Sequence, residues 1–296
     1  MTDNRAYAPH EVLVAPGRNQ PELWRLLAGL VLIAAFVLLC NAVVLTAVSQ
    51  IAPTDWAAAF LSGSSSLGLL LLLGSFGFVI LAVAVAARLF QRRAPTGILG
   101  PPGLAVRQFW RVFRLLLGLG LALLILPPYD MGEPLQANLP FARWLLLLPL
   151  SLLAIGIQTG AEEILFRGYI QQALAARFRS PLVWMVVPSL LFALGHYLPA
   201  EAGDNAVLIA VWSFVFGLLT ADITARAGTL GPAIALHMFN NMVALLIVAL
   251  PNNLSGLSLY LLPYDMADTG NLRAWLAVDF AVMIVTWLVA RVALRR

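Results

Sequence analysis

Glu162 and Glu163 are the residues of this sequence whose type and setting point most clearly to chemistry, because they interrupt a long apolar stretch together with Arg167. Glu163 and Arg167 are four residues apart, so a helix would place them on one face as a charge-assisted pair. Glu162 would point about 100° away from that pair and would have no partner on its own helix. A carboxylate of this kind is suited to act as a general base. The alternative is that both acids only pair with Arg167 and hold helices together.

Two histidines, His196 and His237, are candidates for the same acid–base chemistry. Arg179 marks a turn between two apolar stretches, and Glu162 and His196 each lie 17 residues from it. In an antiparallel hairpin these two side chains would therefore lie at the same depth. A lone histidine in an apolar helix more often serves as a helix-to-helix hydrogen bond, but the matched depth favours a catalytic His196. His237 and Asn241 are four residues apart, which predicts that both project toward one polar spot.

Other polar and small residues in the apolar stretches are interpreted as structural. Asp222 precedes Arg226 by four residues, which predicts a local ion pair at a helix end. Asp279 stands alone in the last apolar stretch and is assigned a structural or interface role. Gly156 and Gly160 form a G-x-x-x-G step, which predicts a close helix contact just before the two acids.

The composition shows which environment must position these side chains. Of the 296 residues, 61% are hydrophobic and 11% are charged, which leaves too little polar surface for a soluble protein of this size. The apolar residues come in blocks of about 20, the length of a helix that crosses about 30 Å of hydrocarbon. We therefore predict an all-α, polytopic transmembrane helical bundle with eight spans, at residues 25–49, 67–90, 104–126, 143–177, 181–198, 206–225, 230–249 and 272–293.

The distribution of arginine predicts the orientation of this bundle. Arginines cluster before the first span, between the second and third, between the fourth and fifth, after the sixth and at the end of the chain, whereas the intervening connections are mostly acidic. The positive-inside rule then predicts that both termini are cytoplasmic, in the plasma (inner) membrane. Because the net charge of +4 comes from these short loops, we expect membrane lipids as partners and no nucleic acid.

The first 22 residues differ from the rest of the chain. Residues 1–22 are polar and contain three prolines, which predicts a disordered cytoplasmic tail. His10 lies in this tail and is assigned no role. Residues 23–296 are predicted to form a single transmembrane domain without internal repeats.

Three short motifs on three separate spans contain the candidate residues. They are E-E-x-x-x-R at Glu162, Glu163 and Arg167, F-x-x-x-H at Phe192 and His196, and H-x-x-x-N at His237 and Asn241. Each motif is weak alone, but their order, spacing and placement within apolar spans make a specific combination. Over about residues 143–249 the sequence resembles the CPBP family of intramembrane proteases, that is, the CAAX prenyl protease type II and bacteriocin-processing family, also called Abi. The first three spans and the last carry no such signature.

The resemblance implies an intramembrane endopeptidase. Its substrate would be a membrane-associated or lipidated peptide or protein, as in CAAX-type or leader-peptide processing. Glu162 and His196 would polarise a water molecule for attack on the peptide carbonyl, while His237 and Asn241 would stabilise the oxyanion. The resemblance gives supporting positions to Glu163, Arg167 and Phe192.

The sequence leaves open both the metal requirement and a different class of function. Members of this family are often described as metalloproteases, and Glu162, His196 and His237 are the three candidate protein ligands of a catalytic Zn²⁺. The same residues suffice for a metal-free glutamate mechanism, which we favour. The alternative function is a non-catalytic membrane scaffold or immunity protein of the same fold, although unused charges in lipid are costly. A transporter with a proton relay would predict paired repeats, which the sequence lacks.

Overall fold

The computed structural model describes residues 5–51, 60–125 and 134–295. Within these ranges the chain forms a bundle of helices, which confirms the predicted all-α polytopic fold. Six helical segments are long and apolar enough to cross a membrane, and two shorter apolar segments accompany them. The α-helices longer than one turn are, in chain order, α1 (Leu23–Ile51), α2 (Ser66–Gly74), α3 (Gly77–Leu89), α4 (Pro102–Ile125), α5 (Phe141–Glu163), α6 (Gln171–Arg177), α7 (Pro181–Gly195), α8 (Ala206–Ala227), α9 (Gly231–Met242) and α10 (Asn271–Leu294).

The two shorter apolar segments carry the candidate histidines: one ends directly before His196 and the other contains His237. They are Pro181–Gly195 and Gly231–Ile247. Helix α7 has 15 residues, or about 22 Å at about 1.5 Å per residue, which is less than the hydrocarbon thickness of about 30 Å. It begins at Pro181 and ends at Gly195. His196 therefore lies at a helix end, and not inside a span that continues to residue 198.

Two π-helical segments interrupt the helices that contain the motifs. The first, Ile164–Ile170, connects α5 to α6, begins directly after Glu163 and contains Arg167. The second, Val243–Ile247, follows α9 and begins two residues after Asn241. Such i→i+5 segments are rare and are frequent at functional sites. The helices that contain the acids and His237 therefore both change their twist beside the candidate site.

A small three-stranded sheet joins the start of α5 to the end of α9. Asn138 donates hydrogen bonds to the backbone carbonyls of Ser255 (2.8 Å) and Ser258 (2.9 Å) and so ties together the chain segments on either side of the sheet. This connection fixes α5 and α9 relative to each other at one end. The strands are β1 (Gln136–Ala137), β2 (Val248–Ala249) and β3 (Tyr260–Leu261), in the order β1-β3-β2, with β1 antiparallel and β2 parallel to β3.

The N-terminal segment is ordered and packed, and the prediction of a disordered tail is wrong for the part that the structure describes. Residues 5–19 form three short helical turns. Leu13 and Val14 are buried in the same apolar cluster as Tyr169 and Trp184 of the bundle. The physical reason is that these few apolar side chains suffice to dock so short a segment. The prediction of disorder used the average polarity of residues 1–22, in which these few apolar side chains have little weight.

Asp222 fastens this segment to the bundle. Its carboxylate accepts hydrogen bonds from the Tyr7 hydroxyl (2.7 Å), from Nε of Arg226 (2.8 Å) and from Nε1 of Trp287 (3.1 Å). The predicted pair with Arg226 is confirmed, whereas the partners from the N-terminal segment and from α10 were not predicted. Burial and the adjacent Asp222 raise the pKa of Tyr7 to about 12, so its hydroxyl remains a donor. Asp222 thus has the structural role that its sequence position indicates.

Acidification is expected to loosen the N-terminal segment through His10. This side chain is 4% exposed beside the Trp184 ring, and burial lowers its pKa from 6.5 to about 4, with Glu11 opposing the shift and Arg18 adding to it. Because the docked state disfavours the charged ring, docking is unaffected above pH 6.5 and weakens as the pH falls from about 6.5 to 4, by up to about 3 kcal/mol. Hydrogen exchange at residues 5–19, corrected for its intrinsic pH dependence, should be faster at pH 5 than at pH 7. His10→Leu should abolish the difference, and equal exchange in the wild type would contradict the assignment.

Candidate functional site

The sequence motifs meet at the carboxylate of Glu163, which is 0% exposed. Its Oε1 atom lies 3.2 Å from Nη1 of Arg167 and 2.8 Å from Nδ1 of His237. The Glu163–Arg167 pair that the spacing predicts is therefore present, and a histidine from α9 is added to it. A buried carboxylate requires such partners, since its desolvation is costly unless it is paired and hydrogen-bonded.

Arg167 connects this acid to two neighbouring helices. Its Nη2 atom donates to the backbone carbonyl of Gly217 in α8 (3.3 Å), and its guanidinium carbon lies 4.9 Å from the centre of the Phe192 ring in α7. A Cβ atom at Gly217 would lie 2.8 Å from Cβ of Ser189, so only glycine allows α8 to approach α7 this closely. The supporting positions Glu163, Arg167 and Phe192 are thus in mutual contact around one buried charge pair.

His237 lies between the two adjacent carboxylates. Its Nδ1 faces Glu163, and its Nε2 lies 3.4 Å from Oε2 of Glu162. Because an ionised carboxylate only accepts hydrogen bonds, the geometry assigns a proton to Nδ1. Glu163 and Arg167 balance each other in charge.

His196 lies against the Phe192 ring. Its Nδ1 donates to the backbone carbonyl of Phe192 (2.8 Å), which leaves Nε2 as an acceptor in the neutral ring. The Phe192 ring lies 4.4 Å from the His196 ring and 6.0 Å from the His237 ring. Within the described residues, no hydrogen bond or ion pair joins His196 to Glu162. The equal depth counted along the sequence assumed continuous α-helices, but the chain enters a π-helix after Glu163 and α7 ends before His196.

Asn241 is oriented by a residue that the sequence analysis missed. Its Nδ2 atom donates to Oε1 of Gln158 (2.8 Å), and its Oδ1 accepts from Nδ2 of Asn240 (3.2 Å). Gln158 is buried in α5. The available signal was its position four residues before Glu162, which puts both on one helix face. With one N–H of the Asn241 amide bound to Gln158, the second remains for another acceptor.

The small residues before the acids do not make the predicted helix contact. No atom of the described chain lies within 4 Å of a Cβ atom placed at Gly156 or at Gly160. The G-x-x-x-G prediction is therefore wrong here, because such a spacing permits a close approach but does not supply a partner helix.

Removing the Gln158 acceptor is expected to slow a reaction that depends on Asn241. Gln158→Met keeps the side-chain length but frees the Asn241 amide to rotate, so kcat should fall about tenfold with KM unchanged, as expected for the loss of one oriented donor. The neighbouring Thr159 is the matched control, since its hydroxyl is bonded to Ile155 of its own helix, and Thr159→Val should retain kcat within about twofold. Equal kcat values for the two variants would show that Gln158 does not contribute to the reaction.

The residues predicted as metal ligands do not form a ready set. In the part of the chain that the structure describes, no three His, Cys, Asp or Glu side chains are close enough to hold a metal ion. Both nitrogens of His237 face carboxylates, and Nδ1 of His196 is bound to the Phe192 carbonyl. Zinc with Glu162, His196 and His237 would need ligand distances of about 2.0–2.2 Å, which this arrangement does not offer. We therefore derive no step through a metal.

The fold and site together define a polytopic helical membrane protein with a buried carboxylate–imidazole centre. Residues 142–243 match the sequence model of the Rce1-like family, described as type II CAAX prenyl endopeptidase Rce1-like. This match confirms the resemblance inferred from the three motifs, and it covers nearly the same part of the chain.

One curated protein is similar in sequence to part of this chain. The chain is 29% identical over 115 residues to the "Uncharacterized protein YyaK" of Bacillus subtilis (strain 168). The aligned stretch covers 39% of this chain and 38% of that protein, so the similarity concerns less than half of either. No solved structure matches the chain.

Proposed function

We propose that this protein is an intramembrane endopeptidase that hydrolyses a peptide bond of a membrane-associated or lipidated peptide or protein, using water activated by Glu162 and His196. The observation that carries the proposal is the buried Oε2 atom of Glu162, which has no hydrogen-bond partner among the described groups although it adjoins a balanced set of charges. A carboxylate oxygen kept free in this way is suited to accept a proton from water. The Rce1-like match over residues 142–243 supports the same reaction class.

The first step is attack of water on the carbonyl carbon of the peptide bond. The water donates one hydrogen bond to Oε2 of Glu162 and a second to Nε2 of His196, the nitrogen that the Phe192 carbonyl leaves without a proton. As the water oxygen bonds to the carbon, its proton passes to Glu162. In this proposal Nε2 of His237 is protonated and Glu162 begins the reaction as the ionised base.

The second step is collapse of the tetrahedral intermediate. Its oxyanion accepts hydrogen bonds from Nε2 of His237 and from the free N–H of Asn241, donors that Glu163 and Gln158 orient from behind. The carbonyl re-forms, the carbon–nitrogen bond breaks, and the proton held by Glu162 passes to the leaving amine. The products are a carboxylic acid and an amine, and Glu162 is again ionised. The acid then gives its proton to the amine, so that a carboxylate and an ammonium group leave the site.

The proposed orientation places both termini in the cytoplasm and the protein in the plasma (inner) membrane. The arginine bias of the loops supports this orientation. The contacts of Asp222 with Tyr7 and Trp287 also support it, because they bring the N-terminal segment and the C-terminal half of α10 to the same side of the bundle. Substrates would be small membrane peptides, such as prenylated C-termini or leader peptides.

Cleavage assays with the purified full chain in detergent test the proposal. A panel of fluorogenic peptides, each with and without a lipid group, is offered to the wild type, to Glu162→Gln and to the control Asp279→Asn. We expect cleavage by the wild type and the control and none by Glu162→Gln. A parallel series with a zinc chelator decides the metal question, since loss of activity restored by Zn²⁺ would establish a metalloprotease. If well-folded wild type cleaves no peptide, the non-catalytic scaffold or immunity protein becomes the better account.

A further inference from the structure

A second cluster of buried polar groups lies outside the candidate active site, where the loop after α3 meets the π-helix. Arg93 is 6% exposed and Gln91 is 4% exposed, in contrast to the solvent-exposed Arg88 and Arg92 beside them. The Tyr169 hydroxyl lies close to the Gln91 amide and near enough to the Arg93 guanidinium to interact with its charge. The arginine cluster that the sequence analysis used only as a topology signal thus has one member folded into the protein.

The charge of Arg93 is not compensated. Nη2 donates to Oε1 of Gln172 (2.7 Å), but Nε and Nη1 have no hydrogen-bond partner, and within the described residues no carboxylate pairs with this guanidinium. Burial lowers the pKa of Arg93 to about 10, so the group is still a cation at neutral pH.

The groups around Arg93 have unused hydrogen-bonding capacity as well. The amide nitrogen and oxygen of Gln91 are buried and have no hydrogen-bond partner among the described residues, and the same holds for the Tyr169 hydroxyl. Buried polar groups in native proteins are almost always satisfied, and a buried cation without a counter-charge is strongly unfavourable. The cluster therefore requires an occupant that is negatively charged and accepts several hydrogen bonds.

We propose that Gln91, Arg93 and Tyr169 form a binding site for a phosphate oxyanion, supplied either by the headgroup of an anionic phospholipid or by free phosphate. Guanidinium nitrogens, an amide N–H and a phenol O–H are the donors that such an oxyanion accepts. The Gln91 oxygen can accept from a hydroxyl on the phosphate or on the headgroup. Basic pockets between membrane helices near the cytoplasmic border bind lipid headgroups in this manner.

The position of the site connects it to the active-site helix. Tyr169 belongs to the π-helix that contains Arg167. Gln172 lies in the first turn of α6, which continues directly from that π-helix. On the opposite side, a Cβ atom at Gly29 of α1 would lie 1.8 Å from the Tyr169 hydroxyl, so α1 closes directly over the cluster. A bound oxyanion would therefore join α1, the loop after α3 and the π-helix.

Thermal unfolding of the purified, delipidated full chain in a neutral detergent tests the site. Phosphatidylglycerol, phosphatidylcholine, sodium phosphate and sodium chloride are titrated separately at matched ionic strength. If a lipid headgroup supplies the phosphate, we expect the Tm to rise by about 3 °C or more with phosphatidylglycerol but not with phosphatidylcholine. If free phosphate is the ligand, we expect the same rise with sodium phosphate but not with sodium chloride. No rise with either phosphate source, or an equal rise with the two lipids or with the two salts, would overturn the proposal.

Variants then assign the effect to Arg93. Arg93→Gln should raise the apparent Kd at least about tenfold, whereas the exposed neighbour variant Arg88→Gln should leave it within about twofold. An unchanged Kd in Arg93→Gln would also overturn the proposal. Should Arg93→Gln fail to fold, native mass spectrometry of the wild type decides, because a retained single phospholipid or phosphate adduct supports the site and a bare protein contradicts it.

Discussion

Glu162→Gln is expected to lower kcat for peptide cleavage by about a thousandfold or more while leaving the fold intact. The amide has the shape of the acid and can still accept a hydrogen bond from water, but it cannot take the proton that water must lose as it attacks. Because Glu162 is not part of the Glu163–Arg167 pair, the substitution leaves that buried ion pair in place and changes only the contact of Glu162 with Nε2 of His237 (3.4 Å). A single-turnover assay with saturating peptide measures the chemical step directly.

The matched control for this variant is another carboxylate within a membrane helix. Asp279 lies in α10 and belongs to none of the three motifs, so Asp279→Asn should retain kcat within about twofold. Thermal unfolding of both variants shows whether a loss of activity is a loss of fold. Glu162→Gln that is folded and keeps more than about a tenth of wild-type activity would exclude Glu162 as the base.

The local parts of this site could be predicted from sequence, because they depend on helix geometry alone. The spacing of four residues was enough to predict the Glu163–Arg167 and Asp222–Arg226 pairs. The polytopic helical bundle followed in the same way from the lengths of the apolar blocks, although six and not eight segments of the described chain are long enough to cross a membrane. These features need no information about which helices are neighbours.

The parts that depend on packing between distant segments could not be predicted. His237 reaches Glu163 across 74 residues of chain, and Gln158 reaches Asn241 across 83. The π-helix at Ile164–Ile170 has no sequence signal, since it differs from an α-helix only in its hydrogen-bond pattern. The contacts of His237 with both acids were therefore not predicted.

The N-terminal segment illustrates the opposite error, in which composition outweighed a few specific contacts. A polar segment with three prolines is typical of disorder, yet Tyr7 binds Asp222 and Leu13 is fully buried. Two or three anchoring side chains are enough when a complementary surface exists, and sequence alone does not show that surface. The same reason explains why Arg93 was interpreted as a loop charge.

Arg167→Met is expected to destabilise the protein more than any other single substitution discussed here. Both partners of the Glu163–Arg167 pair are buried, so the variant leaves an uncompensated carboxylate in the apolar interior, at a cost of about 3–5 kcal/mol. For a protein of this size that cost corresponds to a fall in Tm of roughly 8 °C in detergent. The exposed Arg18–Glu11 pair is the matched control, and Arg18→Met should change stability by less than about 1 kcal/mol.

The double variant Glu163→Gln/Arg167→Met separates stability from catalysis. Removing both charges together should restore the free energy of unfolding to within about 1 kcal/mol of the wild type, because no unpaired charge remains buried. Peptide cleavage should stay at least about a hundredfold below wild type, since His237 then lacks the carboxylate that holds its Nδ1 proton and directs Nε2 toward the oxyanion. A double variant as unstable as Arg167→Met would show that packing, and not charge balance, makes Arg167 necessary. A stable and fully active double variant would show that the pair serves only the fold, so that Glu162 and His237 act without the second acid.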